Sequence, residues 1–191
     1  MEMTINNKEE RYERMPTSKM LLWIALASIT MLFAGLTSAY IVRQAEGNWL
    51  VFELPKMFWV STIMIALSSF SMNWAIQAAK KDNTKAIVQA LLITTLLGFG
   101  FVVTQYLAWG SLYAQGIYFS GNPAGSFLFV LTGFHIAHLL GGIIALVVSL
   151  YKSSRKAYGS TNMLGLQNCA LYWHFLDGLW IYLFIFLLLE H

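Results

Sequence analysis

The chain has 191 residues, of which 58% are hydrophobic, 15% aromatic and only 11% charged, and its mean hydropathy is +0.60. Soluble chains carry about 25% charged residues and about 45–50% apolar ones, and a water-soluble fold of this size lacks the interior to hide so much apolar surface. A net charge of +3 from 12 basic and 9 acidic residues leaves no basic footprint for nucleic acid, and the lone cysteine, Cys169, has no intrachain disulfide partner and no zinc-binding spacing around it.

The class that remains is all-α and polytopic: a bundle of transmembrane helices. Residues 1–19 read as a cytoplasmic N-terminal segment with Lys8, Arg11, Arg14 and Lys19. Charged residues precede the first apolar run, which is too long for a cleavable signal. Residues 20–191 read as a single transmembrane domain. Five apolar runs follow in order: Met20–Val42, Met57–Ala79, Ala86–Trp109, Ser126–Tyr151 and Gln167–Leu189. Each exceeds the roughly 20 helical residues that cross a hydrocarbon core of about 30 Å. Backbone groups inside a bilayer must be satisfied within the segment, and these runs do not alternate as barrel strands do, so they are expected to be helices.

Lysine and arginine set the orientation. Ten of the 12 basic residues fall in the leading segment, the second connection (Lys80, Lys81, Lys85) and the fourth (Lys152, Arg155, Lys156), whereas the first connection has only Arg43 and Lys56. The positive-inside rule then places the N-terminus in the cytoplasm and the C-terminus outside. Trp49, Trp59, Trp109 and Tyr113 fall at the expected outer boundary, where interfacial anchors belong.

Polar residues at membrane depth are costly and mark the places to look. The fourth span reads Thr132-Gly-Phe-His-Ile-Ala-His138. Gly133, Ala137 and Gly141 recur every four residues along it, a small-residue seam that suits close approach of another helix. His135 and His138 lie beside that seam. The fifth span carries Gln167, Ala170, His174, Asp177 and Ile181 on one stripe, expected to face protein. Antiparallel neighbours with a rise of about 1.5 Å per residue bring His138 and Asp177 to similar depth. That predicts a pair between Asp177 and His138, or with less support His135.

Three readings of these residues stand open. His135, His138, His174 and Asp177 form a structural polar cluster tying the fourth and fifth spans together; or imidazoles on two helices ligate a haem b; or a histidine–aspartate group relays protons. The first asks least of the sequence, since the two helices offer one good level at most for a bis-histidine haem and only one acid lies deep. Thr104 and Gln105 in the third span, and Ser68, Ser69, Asn73 and Gln77 in the second, read as interhelical glue.

Two elements carry a resemblance. Gly125-Ser126 followed by Thr132-Gly-Phe-His-Ile-Ala-His138 and Gly142, and then Tyr172-Trp-His-Phe-Leu-Asp-Gly-Leu-Trp180, resemble in sequence and order the last two helices of cytochrome c oxidase subunit III. Weaker echoes are Leu54-Pro55, Ser61-Thr62 and Ser68-Ser69, then Leu97-Gly98 and Gln105. The resemblance implies the five-helix bacterial form of that family, in the inner (plasma) membrane. It implies a non-catalytic chain with no cofactor of its own, haem and copper being held by partner subunits. Its expected partners are haem–copper oxidase subunit I as the main contact, the other oxidase subunits, and phospholipid bound in an interhelical cleft. It also implies assistance to proton uptake and oxygen access. Arg11, Arg43, Lys80 and Lys81 are the expected lipid head-group contacts, and no residue is expected to be catalytic or to bind metal.

Departures from the family pattern bear on one of these roles. Ile29 follows Ser28 where a carboxylate is usual, Gln167 stands seven residues before His174 where Glu is common, and Ala108 replaces an acid three residues after Gln105. Three acids fewer at membrane depth weaken the case for a proton antenna; packing and acyl-chain contacts do not need them. The alternatives are the equivalent subunit of a quinol oxidase or nitric oxide reductase, and a stand-alone haem b membrane cytochrome.

Overall fold

A computed structural model describes residues 17–156, 158–160 and 162–190. Five helices follow one another: α1 (Thr17–Ala45), α2 (Met57–Lys80), α3 (Thr84–Ala114), α4 (Pro123–Ser154) and α5 (Leu164–Glu190). All five are long and apolar enough to cross a membrane, as the five apolar runs predict. Each extends past the apolar run that announced it, because a helix continues until a residue caps it and not until lipid ends. Asn122 is such a residue. Its side chain accepts the Ala124 N–H, and Pro123 occupies the first turn, a position where the missing proline N–H leaves nothing unsatisfied. Asn83 caps α3 in the same way, accepting the Ala86 N–H. The third connection expected over 110–125 therefore shrinks to 115–122.

The hairpin of α2 and α3 is the most intimate pair, and α4 and α5 pack against it. α1 touches only α4 and α5, and its membrane face is largely exposed, with Met31 76% accessible. Leu26, Ile29 and Phe33 on its inner face are buried, and a polar attachment sits near the end of α5: Tyr40 Oη and Gln44 Nε2 donate to the carbonyl of Glu190 at 3.1 and 2.8 Å. Around Tyr40 gather Trp49, Phe127 and Phe186, at ring-centroid distances of 4.6, 5.7 and 5.1 Å. Trp49 is thus a packing residue of the bundle and not a free interfacial anchor. Trp109 is likewise turned inward, donating to Thr132 Oγ1 of α4 at 3.1 Å. Trp59 remains exposed at 53% and Tyr113 at 45%.

At the opposite end of the bundle the α2–α3 turn is tied to the α4–α5 connection. Asp82, with φ of 52°, accepts the Ser160 N–H on Oδ1 at 2.6 Å. That backbone hydrogen bond, with a smaller contribution from the Ser160 hydroxyl, holds the Asp82 carboxyl below the usual carboxylate range. A lowered folded-state pKa means the contact contributes fully above about pH 4 and is lost as pH falls through the depressed value. An NMR titration of the Asp82 carboxyl is expected to give a midpoint below the ordinary one. Ser160→Pro, which has no N–H, should return that midpoint to the ordinary range; an unchanged midpoint would contradict the assignment.

Candidate functional site

The polar residues of α5 and their neighbours make the candidate site. The buried face of α5 runs through Leu166, Cys169, Ala170, Trp173, Leu176, Asp177, Trp180, Leu183, Phe184 and Leu187. Its axis is the pair of fully buried indoles, Trp173 and Trp180. The stripe expected from spacing is off by part of a turn: Ala170 and Asp177 are buried and His174 half-buried, but Gln167 and Ile181 are exposed. Between helices in lipid, close packing decides orientation, and the two largest side chains took the interior.

Both indoles donate to hydroxyls of α2. Trp173 Nε1 reaches Ser68 Oγ and Trp180 Nε1 reaches Thr62 Oγ1, each at 3.0 Å. His174 Nδ1 lies 2.7 Å from Ser69 Oγ. From Trp173 to Trp180 the α5 number rises while its α2 partner falls from Ser68 to Thr62, the register of antiparallel neighbours. Phe58 stacks on Trp180 with 6.0 Å between centroids, and Trp59 meets Phe184 edge-on at 4.9 Å. Two of the α2 residues expected to act as interhelical glue, Ser68 and Ser69, thus hold α5, joined by Thr62, which was not among them. Gln105 extends the arrangement to α3, donating from Nε2 to Ser61 Oγ at 2.8 Å.

Glycines make room for the indoles. A Cβ on Gly98 would meet Trp173 Cη2 at 2.7 Å, and one on Gly142 would meet Trp173 ring carbons at 3.2 Å and Leu176 at 3.1 Å. The close approach therefore occurs at Gly98 and Gly142, not along Gly133, Ala137 and Gly141. Gly133 is half-buried, while Ala137 and Gly141 are exposed. An added Cβ on Gly133 or Gly141 would find its first neighbours only at 3.9 and 3.7 Å. The small-residue seam faces out of this chain, beside a shallow groove edged by Phe129, Val130 and Phe134.

Of the four residues expected to cluster, only His174 and Asp177 are neighbours. Asp177, 4% accessible, has its nearest base one turn away on its own helix, with His174 Nδ1 at 3.8 Å. The pair with His138 is not formed. The azimuth differs from the one expected: at about 100° per residue, Asp177 lies about 140° round α5 from Tyr172, which reaches α4. Tyr172 Oη donates to the His138 carbonyl at 3.1 Å. The His138 ring bonds within its own helix, Nδ1 to the Phe134 carbonyl at 2.7 Å, and meets Phe33 of α1 edge-on at 5.8 Å. His135 is fully buried. Its ring lies between Phe101 at 5.7 Å and Trp180 at 5.1 Å, with neither nitrogen hydrogen-bonded among the described residues. It joins α3, α4 and α5 as an aromatic plate. The missed signal was the seven-residue spacing of Trp173 and Trp180 opposite hydroxyls at 62, 68 and 69.

Among the described residues, no group of three His, Cys, Asp or Glu gathers as metal ligands. A groove of about 460 Å³ opens between α1 and α5, walled by Thr30, Phe33, Ala34, His174, Phe175 and Gly178 among others. Of the expected head-group contacts, Arg43 is engaged by Glu46 at 3.3 Å and by the Gly47 carbonyl at 3.2 Å. Lys80 and Lys81 are exposed at the end of α2, and Arg11 lies outside the described residues.

This arrangement has helices locked by indole–hydroxyl bonds and an apolar groove along one side. It can hold a shape and a hydrophobic ligand. Comparison with known proteins agrees with the motifs. Residues 50–189 match the family model for cytochrome c oxidase subunit III. The chain is 34% identical over 167 residues to the probable cytochrome c oxidase subunit 3 of Nocardia farcinica, covering 84% of this chain and 82% of that one. It is 31% identical over 170 residues to cytochrome c oxidase subunit 3 of Corynebacterium diphtheriae, covering 85% and 82%. It is 28% identical over 185 residues to the probable quinol oxidase subunit 3 of Staphylococcus saprophyticus, covering 94% and 92%. The chain belongs to the cytochrome c oxidase subunit III family of haem–copper oxidases.

Proposed function

We propose that this chain is the non-catalytic subunit III of a bacterial terminal oxidase. In this reading it sits in the plasma membrane against subunit I, stabilises that subunit during turnover, and binds phospholipid between its own helices. The chain carries no redox centre; its partners do the chemistry. The carrying observation is the small-residue seam of Gly133, Ala137 and Gly141, which the bundle leaves open. Such seams serve close helix–helix approach, and among the described residues only the side-chain tips of Trp109 and Tyr172 come near it. Subunit I is the proposed occupant.

The groove between α1 and α5 is the proposed lipid cleft, since a space of this size and character inside a bilayer takes an acyl chain. Gly178 lies on its wall, and a Cβ there would meet nothing within 4 Å. Gly178→Leu is expected to fill the groove while raising helix propensity by about 1 kcal/mol. Phospholipid retained per purified complex should fall, with thermal stability kept; full retention would exclude the groove. The wider test is removal of the whole chain from the purified oxidase. Shortened turnover lifetime and loss of bound lipid are expected, and an unchanged lifetime sinks the stabilising role.

A second reading has the partner complex take electrons from quinol. It is favoured by the quinol oxidase relative, whose match covers 94% of the chain. Co-purifying subunits decide it, because α4 and α5 carry no donor site.

A further inference from the structure

The basic end of the bundle contains a second cavity, remote from the α1–α5 groove. It lies where the start of α3 meets the end of α4, has a volume of about 430 Å³, and is lined by Thr84, Lys85, Val88, Gln89, Ser154 and Lys156. No acid is among the lining residues. Neither lysine has an ion pair among the described residues. The nearest acid in sequence, Asp82, is committed to the Ser160 N–H, and the first turn of α3 contains none.

The backbone at Lys156 adds an independent observation. Lys156 follows the α4 C-cap Arg155 and has a φ of 57°, while its N–H closes the helix end on the Ser153 carbonyl at 2.9 Å. This left-handed position after a helix is one that glycine adopts at least cost. A lysine here accepts backbone strain and delivers a cation to the cavity.

Below the lysines the surface is apolar. Leu92 and Leu96 on α3, and Ile144, Val147 and Tyr151 on α4, are exposed large side chains that continue along the two helices from the cavity. Two unpaired cations over paired apolar helix faces match the order of charges and chains in an anionic phospholipid.

We infer that the α3–α4 cavity binds the phosphate of an anionic phospholipid between Lys85 and Lys156, with its acyl chains along the exposed faces of α3 and α4. The inference does not rest on the α1–α5 lipid cleft: Gly178→Leu reports on that groove, and substitutions at Lys85 and Lys156 report on this one.

The test uses the full chain purified in detergent with the subunits that accompany it. It is delipidated and titrated with phosphatidylglycerol, with phosphatidylcholine, and with inorganic phosphate alone, and bound lipid is counted by native mass spectrometry. Phosphatidylglycerol is expected to bind tighter than phosphatidylcholine, and inorganic phosphate should not displace it. Lys85→Gln and Lys156→Gly should each weaken phosphatidylglycerol binding about fivefold, the factor per basic residue near an anionic lipid surface. Lys156→Gly should keep or raise the thermal midpoint, since it relieves the left-handed strain, and Lys156→Arg should retain binding. Lys19→Gln removes one charge from α1, outside the cavity, and should leave binding unchanged. Equal loss in Lys19→Gln would reduce the effect to diffuse surface charge and overturn the site. Wild-type binding in both Lys85→Gln and Lys156→Gly would overturn it as well. Displacement by inorganic phosphate would replace the lipid with a soluble anion.

Discussion

Replacing Gly98 with valine is expected to destabilise the purified protein by about 3 kcal/mol, the upper part of the usual range for overpacking a core. The new Cβ would lie 2.7 Å from Trp173 Cη2 and 3.2 Å from Trp173 Cζ2. Trp173 is fully buried, so the indole has no open direction in which to retreat. Its Nε1 is fixed on Ser68, and its opposite face rests on Gly142. Moving the ring would therefore break a hydrogen bond as well as a contact. The control is Gly110→Ala in the same helix, where an added Cβ meets nothing within 4 Å and helix propensity improves by about 1 kcal/mol. Thermal midpoints in detergent should move in opposite directions for the two variants. Equal midpoints for Gly98→Val and wild type would show that the indole is not wedged.

The second large effect concerns Asp177. His174→Ala removes the base 3.8 Å from its carboxyl and the partner of Ser69, leaving Asp177 near the middle of α5 without its nearest base. Stranding one member of a buried pair costs about 3–5 kcal/mol, and an aspartate at the centre of a membrane helix carries a penalty of about 2.5–3.5 kcal/mol. A loss of about 3 kcal/mol is therefore expected for His174→Ala. Adding Asp177→Leu should recover most of it, because an apolar side chain of similar volume has no such penalty. The double-mutant cycle measures the coupling directly. If the double variant is as unstable as the sum of the two single ones, the aspartate and histidine are not a pair.

The parts legible from sequence were those governed by length and composition. Five runs of adequate length and apolarity gave five helices in order, since a bilayer leaves the backbone few alternatives. Chemistry was also legible at the level of residue type: Ser68 and Ser69 in the second span read as glue, and they hold Trp173 and His174, whereas Thr62, which holds Trp180, does not stand out. Rotation about the helix axis was not legible. In a soluble helix the polar face points outward, but these helices are apolar on every side, so nothing in the pattern says which side looks inward. That is why the spacing points Asp177 at His138, while its neighbour is His174 on its own helix. It is also why the spacing of Gly133, Ala137 and Gly141 stands out, while the close contacts fall at Gly98 and Gly142. Interior placement was decided by bulk, through two indoles seven residues apart and the two glycines that admit one of them. His135 shows the remaining gap. Its neighbours are aromatic faces, and no spacing rule anticipates a histidine used as a ring.

The hold on α1 has a consequence for how the protein is made. Tyr40 and Gln44 donate to a carbonyl 150 and 146 residues further along the chain, whereas α2 and α3 find each other across a turn of a few residues. During synthesis the hairpin can close as soon as it enters the bilayer. The earliest span must wait in lipid for α4 and α5, the helices it touches, so the first helix made docks after the second and third have paired.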